Sequence, residues 1–319
     1  MSRSGILLGT LGVAAFGLTL PFTRIAVQAS SATETVLVRL LIAGCLALPV
    51  CLLTRSRLPR GRDLLDLFGV VAGVVIGFPL FTSLAMRTDA AAHGGVILGI
   101  LPLATAVAGT LLNGERPSPG FWLGALAGTA LVLVFAVLSS TPGAAAGLSA
   151  GDGWLLAAIV SAAVGYTLGG RLSRRRPAWQ VISLALALAT PLILVACALA
   201  GIGPGRVIGL LSAREVPLSA TLSLLYLGLI SQYGGFLLWY RAIAIDGVAR
   251  TSQLQLLQPF FTLAGAWYLV GERIDASTVG FTLAIIGCVL VSRRLSVRVP
   301  GAAPPTGTAS TLLPETPPR

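Results

Sequence analysis

The sequence has no lysine at all, one histidine (His93) and two methionines among 319 residues. Without lysine there is no Walker A phosphate loop and no Schiff-base nitrogen, so the usual machinery of ATP hydrolysis and of pyridoxal chemistry is excluded. Charged residues are also scarce, at 10% of the chain, where average soluble domains carry about 25%. The four cysteines, Cys45, Cys51, Cys197 and Cys288, form no CxxC pair and fall inside apolar runs. They read as small packing residues rather than a disulfide framework or a metal cluster. No nucleophile stands at a recognisable spacing from the lone histidine, and no residue set has metal-ligand spacing. A ring of like charges or a filter-like loop is missing too. An integral-membrane enzyme and a channel are therefore alternatives without a sequence signal of their own, and no cofactor is expected.

What the chain has instead is apolar length. It is 55% hydrophobic with a mean hydropathy of +0.90. A bilayer-crossing helix needs about 20 apolar residues, and such runs recur at 5–27, 33–53, 64–86, 91–112, 118–138, 153–170, 178–201, 217–240, 248–270 and 276–292. The fold class expected is an all-α membrane protein of ten transmembrane helices. The first run resembles a signal peptide in having Arg3 ahead of it and small residues near Ala29–Ala32. It is long for one, and the span count needs it as an uncleaved helix.

The net charge of +11 is carried by arginine alone. With the N-terminus placed in the cytoplasm, fifteen arginines fall in inside loops and five outside. The inside set includes the clusters "RSRLPRGRD" and "RLSRRRP". This positive-inside bias predicts cytoplasmic termini and a multi-pass protein of the plasma (inner) membrane. It also removes nucleic acid as a partner, because basic patches on soluble readers are not spaced by membrane spans. The partners expected are a small-molecule substrate and the lipid bilayer, with a homodimer left open. The segment 295–319, rich in Pro, Thr and Ala, cannot build a core and is expected to be a disordered cytoplasmic tail.

Two stretches, "LGILPLATAVAGTLLNGERP" and "QLLQPFFTLAGAWYLVGERI", each carry a proline inside an apolar run and end in Gly-Glu-Arg. A proline inside a helix costs about 3 kcal/mol. Sliding the chain by 157 residues superposes Pro102 on Pro259, Thr105 on Thr262 and the two Gly-Glu-Arg triplets on each other. The chain therefore divides into repeats at 5–138 and 153–294 joined by a linker at 139–152. Each repeat holds five spans, an odd number, so the second is inverted. Interrupted helices at matching places in inverted repeats point to a binding site between them. Each proline is expected to free a carbonyl, Leu98 in one half and Gln255 in the other. Such carbonyls are tolerated only against protein or a water-filled cavity, so Pro102 and Pro259 mark an expected central cavity.

Ten spans, a five-plus-five repeat and the twice-used proline helix ending in Gly-Glu-Arg resemble the EamA family of the drug/metabolite transporter superfamily, over about residues 5–294. The resemblance implies a bundle around a central cavity and export of metabolites such as amino acids, or of drugs. It does not fix the substrate.

Several residues are candidates for lining that cavity. Thr251, Gln255, Gln258 and Thr262 are spaced four, three and four apart, on one helix face. They line the cavity or glue two helices through their amides. Arg39 lies about 9 Å inside the second span at helical rise, shallow enough to snorkel outward. It binds a substrate carboxylate or partner acid, or else anchors the helix at the outer interface. His93 carries a proton or is a hydrogen-bonded interface residue. Trp239 and Tyr240 belong to the cavity or to an aromatic belt. Thr19 is one turn inside the outer end of the first span. Glu115 and Glu272 read as structural anchors. Glu34, Asp89, Glu115, Asp246 and Glu272 all sit at span ends, leaving no buried carboxylate for a proton or a cationic drug. The expectation is a secondary transporter of amino-acid-like solutes working by alternating access, with a drug exporter of the same fold as the alternative.

Overall fold

The computed structural model describes residues 2–114, 116–117, 119–138, 149–294 and 297–298. Its helices are α1 (Arg3–Ala29), α2 (Ala32–Leu53), α3 (Arg62–Ala85), α4 (Ala91–Asn113), α5 (Pro119–Leu138), α6 (Ala150–Ser173), α7 (Ala178–Leu199), α8 (Pro204–Leu211), α9 (Leu218–Asp246), α10 (residues 248–270) and α11 (Ala276–Arg294). Seven of them, α1 to α4, α6, α7 and α9, are long and apolar enough to cross a membrane among the described residues. Outside the described residues lie Glu115, most of the 139–152 linker and most of the 295–319 tail. Of that tail, Val297–Arg298 forms a two-residue antiparallel ladder with Arg116–Pro117.

The starts of α2 and α6 are capped alike. Ser31 and Ser149 each accept from the backbone N–H three residues on, and Glu34 and Asp152 reach back to the cap. Each such box satisfies donors that a helix start leaves open, typically for about 1 kcal/mol. α4 and α10 end identically, on Gly114 (φ +68) and Gly271 (φ +76) in the left-handed region. That conformation suits glycine and closes the helix end. It explains the glycine of both Gly-Glu-Arg triplets.

α2 packs on α7 and α5 on α11, while α1 packs on α9 and α10 and α6 packs on α3 and α4. Close approach comes from small residues. A Cβ on Gly73 would lie 2.5 Å from the Ser161 carbonyl, and one on Gly165 would lie 2.9 Å from the Val74 nitrogen, so α3 and α6 touch backbone to backbone. At the same point α3 widens into a π-helical stretch, Val71–Gly77, and α9 does so at Tyr226–Gly234. The 157-residue shift that relates the prolines carries the first stretch onto 228–234, within the second. The second half additionally inserts α8 between its second and third long helices.

Contacts made by acidic side chains between helices gather at the two ends of the bundle. At one end Ser2 donates to Asp246 at 2.9 Å, Arg175 to Asp63 at 2.6 Å and Arg171 to Asp66 through two nitrogens. At the other, Arg206 bridges Glu34 and Glu215, His93 meets Asp152 at 2.7 Å, and Glu272 accepts from the N–H groups of Ala91 and Ala92 at 2.8 Å each. Glu272 is thus an anchor, capping the start of α4 from across the bundle. Between these ends lies an aromatic cluster of Phe16, Tyr166, Phe236, Trp239 and Tyr240.

Candidate functional site

The prolines sit where expected, but the carbonyls ahead of them are not free. Leu98–Ile100 tightens into a 3₁₀ turn before Pro102, and the Leu98 carbonyl accepts the N–H of Leu101. Ser252–Leu257 does the same before Pro259, with the Gln255 carbonyl accepting from Gln258. Proline removes the i+4 donor, and the tighter turn supplies an i+3 donor instead. The interruption is real in both halves, and the unpaired carbonyls expected from the sequence are absent among the described residues.

Arg39 departs from a snorkelling interface residue. It is 1% exposed, and its guanidinium reaches inward, where Nη2 donates to Gln232 Oε1 at 3.1 Å. Gln232 in turn donates to the carbonyl of Val74 at 3.0 Å, inside the π-helical stretch of α3. No acid pairs with Arg39 among the described residues, and its Nε and Nη1 have no hydrogen-bond partner there. Burying an unpaired charge costs several kcal/mol. A guanidinium with two unused donors in that setting has the chemistry to take an anion, since its hydrogen bonds to carboxylate are charge-assisted.

Thr19 joins the same region. Its hydroxyl lies 2.7 Å from Ser231, the neighbour of Gln232. α1 is interrupted there, since its first segment ends at Gly17 and the next begins at Thr19. Gly17 faces the other group of candidates, for its carbonyl accepts from Thr262 at 2.7 Å. Thr262 is therefore partnered, as is Thr251, which donates to Ala242 at 3.3 Å. Gln255 and Gln258 differ. Both are buried, and both amide atoms of Gln255 and the Oε1 of Gln258 lack a partner among the described residues. The break in α1 thus touches α9 on one side and α10 on the other.

Trp239 and Tyr240 are fully buried within the aromatic cluster rather than at a membrane interface. Tyr240 donates to the Gly165 carbonyl at 3.2 Å and lies against Gly169, where a Cβ would fall 2.3 Å from the ring. Trp239 Nε1 is buried without a partner among the described residues.

His93 stands apart, at the end of the bundle opposite the N-terminus, with Asp152 and Asp89, one side-chain N or O atom of each lying within 4.8 Å of the others. Burial pushes the Asp89 carboxyl above the ordinary carboxylate range, with Thr88, His93 and Ser149 opposing that rise. Asp152 and Asp66 are 2% and 3% exposed, so the chain does bury carboxylates, contrary to the sequence expectation. Each is already matched, by His93 and by Arg171.

Sequence reasoning missed Gln232 and Ser231. Their signal is the polar "SQ" inside the apolar eighth run, of the same kind as the glutamines of the ninth.

The long apolar helices and the buried guanidinium of Arg39 define a polytopic helical membrane protein with a polar interior. Its sequence matches the EamA-like transporter family over residues 3–137 and again over 149–293, and the chain belongs to that family. It is 43% identical over 295 residues to an uncharacterized transporter of Bacillus subtilis, YdeK, covering 92% of this chain and 99% of that one. A "Probable terminal-alkyne amino-acid exporter" of Streptantibioticus cattleyicolor is 27% identical over 239 residues, 75% of this chain and 76% of the other. One solved crystal structure aligns with a TM-score of 0.63 at 20% identity, over 92% of this chain and 99% of that one, a likeness of fold alone.

Proposed function

We propose that this transporter carries amino-acid-like metabolites outward across the plasma membrane by alternating access, binding the substrate carboxylate at Arg39. The observation that carries the reading is the fully buried guanidinium with two unused donors, held in place by Gln232. The unpartnered amide of Gln255 and the unpartnered Oε1 of Gln258 suit the polar remainder of such a solute. A relative named as an amino-acid exporter agrees with this class of substrate. Export of cationic drugs is less well served, because the buried acids Asp66 and Asp152 are matched by Arg171 and His93.

The transport cycle we propose uses ten spans in two inverted five-helix repeats, with both termini in the cytoplasm. The paired π-helical stretches, the paired 3₁₀ turns and the reciprocal packing of the helices support that arrangement. Exchanging the halves turns the α1–α9 contact into the α6–α3 contact and leaves α2–α7 and α5–α11 unchanged. A periplasmic reporter active at the C-terminus would overturn it.

Proteoliposomes loaded with single amino acids test the function. Efflux faster than from empty liposomes is expected for solutes bearing a free α-carboxylate, and slower efflux for their amides. Equal rates for acid and amide would remove Arg39 as the carboxylate site, and no acceleration for any amino acid would remove the substrate class.

A further inference from the structure

The end of the bundle that carries the N-terminus has a cleft of about 340 Å³ lined by Arg62, Arg171, Arg174 and Arg175 with Leu112 and Asn113. Arg171 and Arg175 are matched by Asp66 and Asp63. Arg62 and Arg174 have no ion-pair partner among the described residues. The cleft therefore presents four positive charges against two negative ones. Two further features favour an anion there. α3 starts at Arg62 with no side chain capping it, and since the Gly61 carbonyl takes the N–H groups of Leu64 and Leu65, those of Arg62 and Asp63 are the ones left beside the guanidinium. The Asn113 Oδ1 is buried without a partner, and a half turn of that amide would put its NH₂ donors in the same place.

The surroundings say what kind of anion. Leu65 (68% exposed) and Phe68 (47%) stand on α3 just beyond Arg62, and Leu111 (78%) stands on α4 beside Leu112. These side chains face outward from the bundle, so a cationic cleft sits directly against apolar surface. A free phosphate would use only the arginines. A phospholipid would use both, its headgroup phosphate in the cleft and its acyl chains along Leu65, Phe68 and Leu111.

We infer that this cleft holds the phosphate of an anionic glycerophospholipid. The site is separate from Arg39 and does not depend on the substrate assignment.

Native mass spectrometry of the detergent-purified full-length protein tests it, with phosphatidylglycerol, phosphatidylcholine and inorganic phosphate as probes. The wild type is expected to retain phosphatidylglycerol and not phosphatidylcholine. Arg62→Gln or Arg174→Gln alone should weaken retention about fivefold, and both together about thirtyfold. Neither residue holds an ion pair, so melting curves without lipid should be unchanged. Arg55→Gln removes a charge from the same end but outside the cleft, and should leave retention as it was. An equal loss in Arg55→Gln would mean that general surface charge binds the lipid and would overturn the site. Equal retention of phosphatidylcholine by the wild type would overturn it without any variant. Displacement of the lipid by inorganic phosphate at comparable concentration would overturn the lipid assignment in favour of a free-phosphate site.

Discussion

Where α3 begins and α6 ends, the carboxylate of Asp66 is gripped by two nitrogens of Arg171, and a third nitrogen of that arginine closes the Leu112 carbonyl at 3.0 Å. Halfway along the bundle, Arg39 is more deeply buried yet holds a single hydrogen bond, to a neutral amide. The two arginines show two uses of one residue type. At the ends, paired charges such as these fasten helices together. In the middle, donors are left over, and leftover donors in a dry interior cost stability unless a ligand takes them. Stability and binding should therefore separate when the two regions are altered one at a time.

The largest change is expected from Asp66→Asn. It leaves Arg171 without its counter-charge and should lower unfolding stability by about 2–3 kcal/mol. That is less than for a fully buried pair, because the Arg171 side chain stays 20% exposed. Substrate affinity per folded molecule should not move. If affinity fell with stability, the ends would not be mere fastening.

Arg39→Gln should do the reverse. Loss of a charge-assisted contact of about 1.5–3 kcal/mol weakens substrate binding roughly ten- to hundredfold, while the melting curve holds or rises as an uncompensated charge leaves the interior. A fall in melting temperature at unchanged affinity would place Arg39 with the fastening residues instead.

Gln258→Leu sharpens the comparison within the middle. A single neutral hydrogen bond to substrate, about 0.5–1.5 kcal/mol, predicts roughly two- to tenfold weaker binding. Normal affinity with lowered stability would make Gln258 helix packing, like Thr262.

The smallest effect concerns pH. Asp89 has a raised carboxyl pKa in the folded protein, so the native state binds the extra proton, and stability should fall as pH rises from the ordinary carboxylate range through the raised value. Thermal melts across that window should show a shallower slope for Asp89→Asn. An unchanged slope would assign the pH dependence to another group.

Much of this was legible in the sequence, though not evenly. The helices were visible because a bilayer demands long apolar runs. The matched prolines and left-handed glycines were visible because those residues have few other uses. What each helix faces was not legible, because lipid and protein interior are equally apolar and a spanning helix shows little periodicity. Arg39 accordingly stayed open between a binding residue and an outward anchor, and Gln232, its partner 193 residues away, went unnoticed. The expectation of no buried carboxylate passed over Asp66 and Asp152 for a related reason. A position near a span end says nothing of whether another helix covers it. The proline carbonyls failed differently, since the local rule about a missing donor is right but a tightened turn supplies another.

The π-helical stretches of α3 and α9 carry a mechanical corollary. A π turn holds one residue more than the α turn it replaces. Returning it to α geometry would thread the rest of the helix forward by about 1.5 Å and rotate it by about 100°. Gln232 lies inside one such stretch and the carbonyl it grips, that of Val74, lies inside the other. The amide holding Arg39 is thus mounted between two screws, each with one thread of slack, so a click of either would let go of the guanidinium without bending a helix.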